Sequence, residues 1–145
     1  MATYTQSQGT RSAAQLTMST LASATYIASS AIDLGASIPL DVTLEVEVTP
    51  SAATSGNKQL VVFAQFSLDN TNFTSGPTSG TTTTNEADLH FVGVVPCADT
   101  STHRKMLSLA GLPVARYLKL IAKNDLGVAL TSGFIYKADI TGASA

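Results

Sequence analysis

Two histidines, His90 and His103, carry the side chains whose ordinary pKa suits acid–base work near neutral pH, and Cys97 is the lone thiol. Triad-type catalysis needs a nucleophile, a base and a group that orients the base. Neither histidine lies in such a motif: there is no Gly-x-Ser-x-Gly elbow, and Cys97 follows Pro96 without the flanking residues of a cysteine protease. His90 reads as a strand residue partly buried in a sheet, His103 beside Arg104 and Lys105 as a solvated loop residue, and Cys97 as a small apolar side chain with no metal spacing around it. Asp69, Asn70 and Asn72 gather oxygen atoms in one turn, but the glycine and distal glutamate of an EF-hand loop are absent, and Asx side chains bonding to their own backbone account for the cluster. Asn72-Phe73-Thr74 matches the glycosylation sequon, which stays idle without a secretory signal. Gly76 and Gly80 sit in a Ser/Thr/Pro loop with no following helix or lysine, so they make no phosphate cradle.

Sugar binding is the most serious chemical alternative, and it needs exposed aromatic faces. The chain has no Trp. Phe63, Phe66, Phe91 and Phe134 fall in apolar strand patterns and read as core, which leaves Tyr4, Tyr26, Tyr117 and Tyr136. No pair of groups with separable acid and base roles can be named, so the expectation is a protein that is not an enzyme, with no catalytic, cofactor-binding or metal-ligating residue assigned and no cofactor.

What must position these residues is a single chain of 145 residues, enough for one compact domain. Charged residues make up only 12% of it, about half the usual share, so the polar surface is uncharged. Twenty Thr and sixteen Ser supply that surface; Thr favours strands, and both favour turns. A net charge of -2 without a Lys/Arg cluster gives no field for a phosphate backbone, so no nucleic-acid partner is expected. No apolar run reaches the roughly 18 residues of a membrane span, and no membrane partner is expected. The N-terminal residues lack the pattern of a secretory signal, and one cysteine makes no internal disulfide, so the expectation is folding in a cytosol.

Charge is uneven along the chain. Residues 1–99 hold eight acids against Arg11 and Lys58, while residues 100–145 hold six bases against Asp125 and Asp139. Either the subunit has an acidic and a basic face suited to head-to-tail contacts, or strand pairing mixes the halves and cancels the difference.

Residues 1–38 are rich in Ala, Ser, Thr and Gln with scattered apolar residues, and read as an extended N-terminal arm with one short strand near Thr25 to Ala28. Residues 39–145 read as the folded domain. Leu40, Val42, Leu44, Val46 and Val48 alternate with polar residues as far as Pro50, the period of a half-buried antiparallel strand. Gln59 to Leu68 is apolar on both parities, as for a central strand covered on both faces, and with the loop 51–57 these two segments read as a long hairpin. A loop at Ser75 to Asn85 is long enough to have a job. Further strands are read at Ala87 to Val95, Arg104 to Leu109, Val114 to Lys123, Val128 to Leu130 and Phe134 to Ile140, with Asn124-Asp125-Leu126-Gly127 as a hairpin turn. Seven to nine strands with no convincing helix predict an all-β fold, an antiparallel two-sheet β-sandwich of jelly-roll or Ig-like topology.

Within that pattern, Leu44-Glu45-Val46-Glu47-Val48-Thr49, Lys58-Gln59-Leu60-Val61-Val62-Phe63-Ala64, Ser67-Leu68-Asp69-Asn70-Thr71-Asn72-Phe73-Thr74, Asp88-Leu89-His90-Phe91-Val92-Gly93 and Tyr117-Leu118-Lys119-Leu120-Ile121-Ala122-Lys123-Asn124-Asp125 resemble the small β-sandwich virion structural proteins of tailed bacteriophages. The resemblance spans about residues 40–140. It implies a non-enzymatic virion structural protein, such as a capsid decoration (cement) protein that binds the outside of the phage head, and it supplies no catalytic residues. The partners it implies are the major capsid protein and copies of the chain itself, a homo-oligomer such as a trimer about a local symmetry axis, assembled in the host cytoplasm. The alternative is a neck, tail or host-receptor (glycan) binding subunit, in which Tyr117 or Tyr136 would carry glycan binding. The arm and the Gly76 to Asn85 loop are the expected contact elements, and removal of residues 2–24 is expected to leave the sandwich folded.

Overall fold

The alternating stretch forms strand β5 (Asp41–Pro50), with Val42, Leu44, Val46 and Val48 buried and the intervening residues half-buried, in a computed structural model that describes residues 3–144. Before it come β1 (Tyr4–Gln8), β2 (Ser12–Thr17), β3 (Tyr26–Ala28) and β4 (Ile32–Asp33). After it come β6 (Gln59–Ser67), β7 (Ser79–Gly80), β8 (His90–Pro96), β9 (His103–Ser108), β10 (Tyr117–Asp125) and β11 (Leu130–Ser144). A single 3-10 turn at Glu86–Asp88 is the only helical element among the described residues.

All pairings are antiparallel and build two sheets. In the first, β11 pairs with β1 and β2 on one side and β5 on the other, and β5 pairs with β9. The second runs β7, β3, β10, β6, β8, with β4 also on β10. Leu44, Val46, Val48 and Ile135 from the first sheet share one buried cluster with Leu60, Val62, Leu118 and Leu120 from the second, so the core lies between the two. Burial of this apolar area is the main drive for folding.

The outer faces differ. β6 is apolar on both parities because the second sheet is covered on both sides: Val61, Phe63 and Ile121 form a second cluster with Tyr26 and Leu89. The segment that carries Leu89 over this face is the long loop, whose β7 adds to β3 and whose Glu86 accepts from Tyr26 Oη and, at 2.8 Å, from Lys123 Nζ. The loop's job is therefore to roof an apolar sheet face. The first sheet instead turns a polar face to solvent, where Arg11 pairs with Glu45 at 2.8 Å and Arg104 Nε donates to Glu47 at 3.1 Å. Arg104 on Glu47, Arg116 on Asp33 at 2.7 Å and Lys123 on Glu86 join the basic and acidic parts of the sequence within one subunit and offset the asymmetry of charge.

Three local expectations give way to tertiary pairing. The segment 1–38, read as an arm, supplies four strands, and its Ala14, Leu16, Met18 and Ile32 are buried in the shared core. Removing residues 2–24 therefore strips core side chains rather than a free arm; of the four strands in 1–38, only β1 has every residue exposed. The hairpin read over β5 and β6 is instead a crossing between sheets, because β5 takes β9 and β11 as neighbours and β6 takes β8 and β10. The Asn124 to Gly127 turn likewise joins β10 in one sheet to β11 in the other. Phe91 and Phe134 leave the core. A register shift in β6–β8 pairing between Val62 and Phe63 leaves Phe91 57% exposed, edge-on to Phe63, and Phe134 lies half-buried beside Tyr136, opposite Glu47.

Candidate functional site

The residues singled out for chemistry are dispersed. His90 opens β8, half-buried, with its ring edge-on to Phe66 at 5.2 Å. His103 opens β9 rather than lying in a loop, and its Nε2 stands 3.1 Å from Asp99 Oδ1. Ser101 and then His103 hold the Asp99 carboxyl below its ordinary range. Cys97 is fully buried, and burial pushes its thiol up to about 11, so it is a packing residue rather than a nucleophile. Among the described residues, no three His, Cys, Asp or Glu side chains gather closely enough to hold a metal ion.

The Asp69 cluster is turn chemistry. Its Oδ1 accepts from Thr71 N at 2.9 Å and Asn72 N at 2.8 Å, and its Oδ2 accepts from Asn72 Nδ2 at 2.6 Å. The Asn72 and Thr71 backbone bonds lead in holding this carboxyl well below the usual carboxylate range. Asn70 takes the left-handed conformation such a turn requires. The tyrosines offer few free faces for a sugar: Arg11 lies 3.5 Å over the Tyr136 ring, Arg116 lies 5.1 Å from the Tyr117 ring centre, and Tyr26 is buried under the roof loop.

What the fold does bring together is apolar. Leu68, just past β6, is 84% exposed, Val114, before β10, is 77% exposed, and Leu40, before β5, is 67% exposed. These three and Ile38 lie at the same end of the sandwich, the end where β6 stops and β5 and β10 start. A cleft of about 420 Å³ opens there between Leu68, Phe66, His90, Pro113 and Val114, with Asp69 and Asn72 on its rim. A smaller groove continues past Pro113 to Ile38, Pro39 and Leu40. The polar atoms of Asp69 that border the cleft are spent on their own turn, and Thr74 Oγ1 accepts from Phe66 N at 3.2 Å, so the surface is apolar in character as well as in composition.

This end was missed because each apolar residue reads locally as the next inward position of its strand. Leu40 and Leu68 keep the buried parity of β5 and β6, but the sheets stop one residue short of them. That overrun at several strand ends is the signal that could have found it. No family model and no curated protein matches the chain.

Proposed function

We propose that this chain is a non-enzymatic virion structural protein, a capsid decoration protein that binds the outside of a phage head and stabilises contacts between major capsid protein subunits. The observation that carries this reading is the apolar end formed by Ile38, Leu40, Leu68 and Val114. Phe91 and Met106 are exposed singly elsewhere, whereas these side chains gather along one cleft and groove, and a contiguous apolar patch marks a protein contact. The strand order supports the reading at the level of architecture. β2 pairs with β11, β3 with β10, β5 with β9 and β6 with β8, pairings that favour the jelly-roll reading over the Ig-like one. Jelly rolls recur in viral capsid and lectin domains, a link by fold analogy alone.

In this reading the major capsid protein covers the apolar end, copies of the chain form a homo-oligomer, and assembly takes place in the host cytoplasm. The test is quantitative mass spectrometry of purified particles. A simple ratio of this chain to the major capsid protein, such as one or one third, is the expected result. A few to a few dozen copies per particle would move it to the neck or tail, and absence from the particle would overturn the virion reading.

A further inference from the structure

β11 outruns its neighbour. β5 begins at Asp41, opposite Ile140, and Leu40 N donates to Ile140 O at 2.8 Å. Beyond that point β11 pairs only with β1, through Thr141 with Ser7, Gly142 with Gln6, Ala143 with Thr5 and Ser144 with Tyr4. The two strands leave the sandwich as a ribbon, with every β1 residue exposed. A two-stranded ribbon is marginal in water by itself.

The ladder fixes which β1 groups are free. Gly9 N donates to Asp139 O at 2.8 Å. In an antiparallel pair the direction of the backbone groups alternates, so Ser7 and Thr5 also face β11 while Tyr4, Gln6 and Gln8 turn their N–H and C=O outward. No strand lies on that side among the described residues. Other edges are blunted as exposed edges usually are. β9 carries Arg104 and Lys105, β8 ends at Pro96 and pairs with an irregular register, β7 has two residues, and β2 contains the left-handed Gln15. β1 has no charge, no proline and no register shift.

We propose that β1 pairs antiparallel with β1 of a second copy about a two-fold axis, joining two ribbons into one four-stranded sheet. Centred on Gln6, all five residues pair, with Tyr4 opposite Gln8 of the partner subunit and Thr5 opposite Ser7 of the partner subunit. A second copy fits because the strand is uncharged: pairing with itself sets no like charges opposite one another. The two-fold also satisfies both open edges at once and leaves none to extend the assembly. This rests on the edge alone and stands whether or not the chain belongs to a virion.

Analytical ultracentrifugation of the full chain tests it. Gln6→Pro removes an outward donor and leaves the β11 ladder intact, since proline is tolerated where the N–H faces solvent. Two donors are lost per dimer, each worth roughly a factor of ten, so the dimer dissociation constant is expected to rise about 100-fold. A second variant, Gln6→Lys with Gln8→Lys, sets like charges on the shared edge and decides the matter if the proline variant fails to fold. The expected result is a reversible monomer–dimer equilibrium for the wild type and monomers for the variants, with unchanged circular dichroism. A wild type that stays monomeric at every concentration, a trimer, or a dimer that folded variants retain would overturn the proposal.

Discussion

At the end of the sandwich where β5 stops and β6 starts, the loops are stitched together by hydrogen bonds. Thr54 Oγ1 donates to Cys97 O at 2.8 Å, Ser55 N to Leu126 O at 2.9 Å and Asn57 Nδ2 to Asp125 Oδ2 at 2.7 Å. Asn124 sits fully buried beneath them, giving Nδ2 to Leu21 O and Val128 O and taking Leu126 N on Oδ1. The opposite end is built in large part from segments 34–40 and 109–115, in which Ser37 is the one hydroxylated residue, and it leaves Leu40, Leu68 and Val114 in solvent. The difference between the ends is one of loop composition: hydroxyl and amide side chains close one end, and apolar side chains face solvent at the other. One is finished within the subunit; in the proposed reading, the other is finished by a partner.

The contrast can be broken at the closed end first. Asn124→Ala takes the side-chain partner from the Val128 carbonyl and the Leu126 N–H in a buried site and one of two donors from the Leu21 carbonyl, which keeps Leu130 N, and is expected to cost about 3 kcal/mol in denaturant unfolding. Leu120→Ala, in the core that serves both ends, is expected to cost roughly 2–5 kcal/mol and calibrates that loss. At the open end, Asp69→Ala removes the acceptor of one turn and is expected to lower the melting temperature by less than either. Leu68→Ser and Val114→Ser remove exposed side chains and should fall within about 0.5 kcal/mol of the wild type.

Titration sharpens the comparison further. Arg116 and then the Gly35 N–H hold Asp33 at about 2, and the Asp69 carboxyl is held lower still by its own turn. Both folded values lie below the ordinary Asp value near 3.9. Their contribution is therefore fully present above about pH 4 and is lost as pH falls through the folded values. Thermal melts of the wild type between pH 7 and pH 2 should show the loss only below about pH 4, and Asp69→Asn should reduce it. At the closed end the thiol of Cys97 should resist alkylation in the native protein at neutral pH and react after denaturation.

How much of this was legible from the sequence depends on whether a feature is local. β5 is visible as period-2 alternation, β6 as a strand covered on both faces, and the Asp69 turn as Asx chemistry, because in each the residues that decide are neighbours. β2 was hidden although Ala14, Leu16 and Met18 also alternate, since small and hydroxylated neighbours gave the alternation little contrast. The crossing from β5 to β6 was unreadable because a loop does not state which strand its successor will pair with. Phe91 was misplaced by a pairing irregularity, which reverses the parity of every residue beyond it. The apolar end shows in the sequence only as overrun at strand ends; that Ile38, Leu68 and Val114 meet at one end needed the fold, for they come from connections far apart in the chain.

The most direct test of that end is attachment. Purified wild-type protein, a Leu68→Asp/Val114→Asp variant and a Met106→Asp control, which changes an exposed apolar residue on β9 away from that end, would be mixed with particles stripped of the chain and sedimented with them. If the apolar end carries attachment, the wild type and the control pellet with the particles while the double variant, folded by circular dichroism, stays in solution. Equal recovery of the double variant would contradict it.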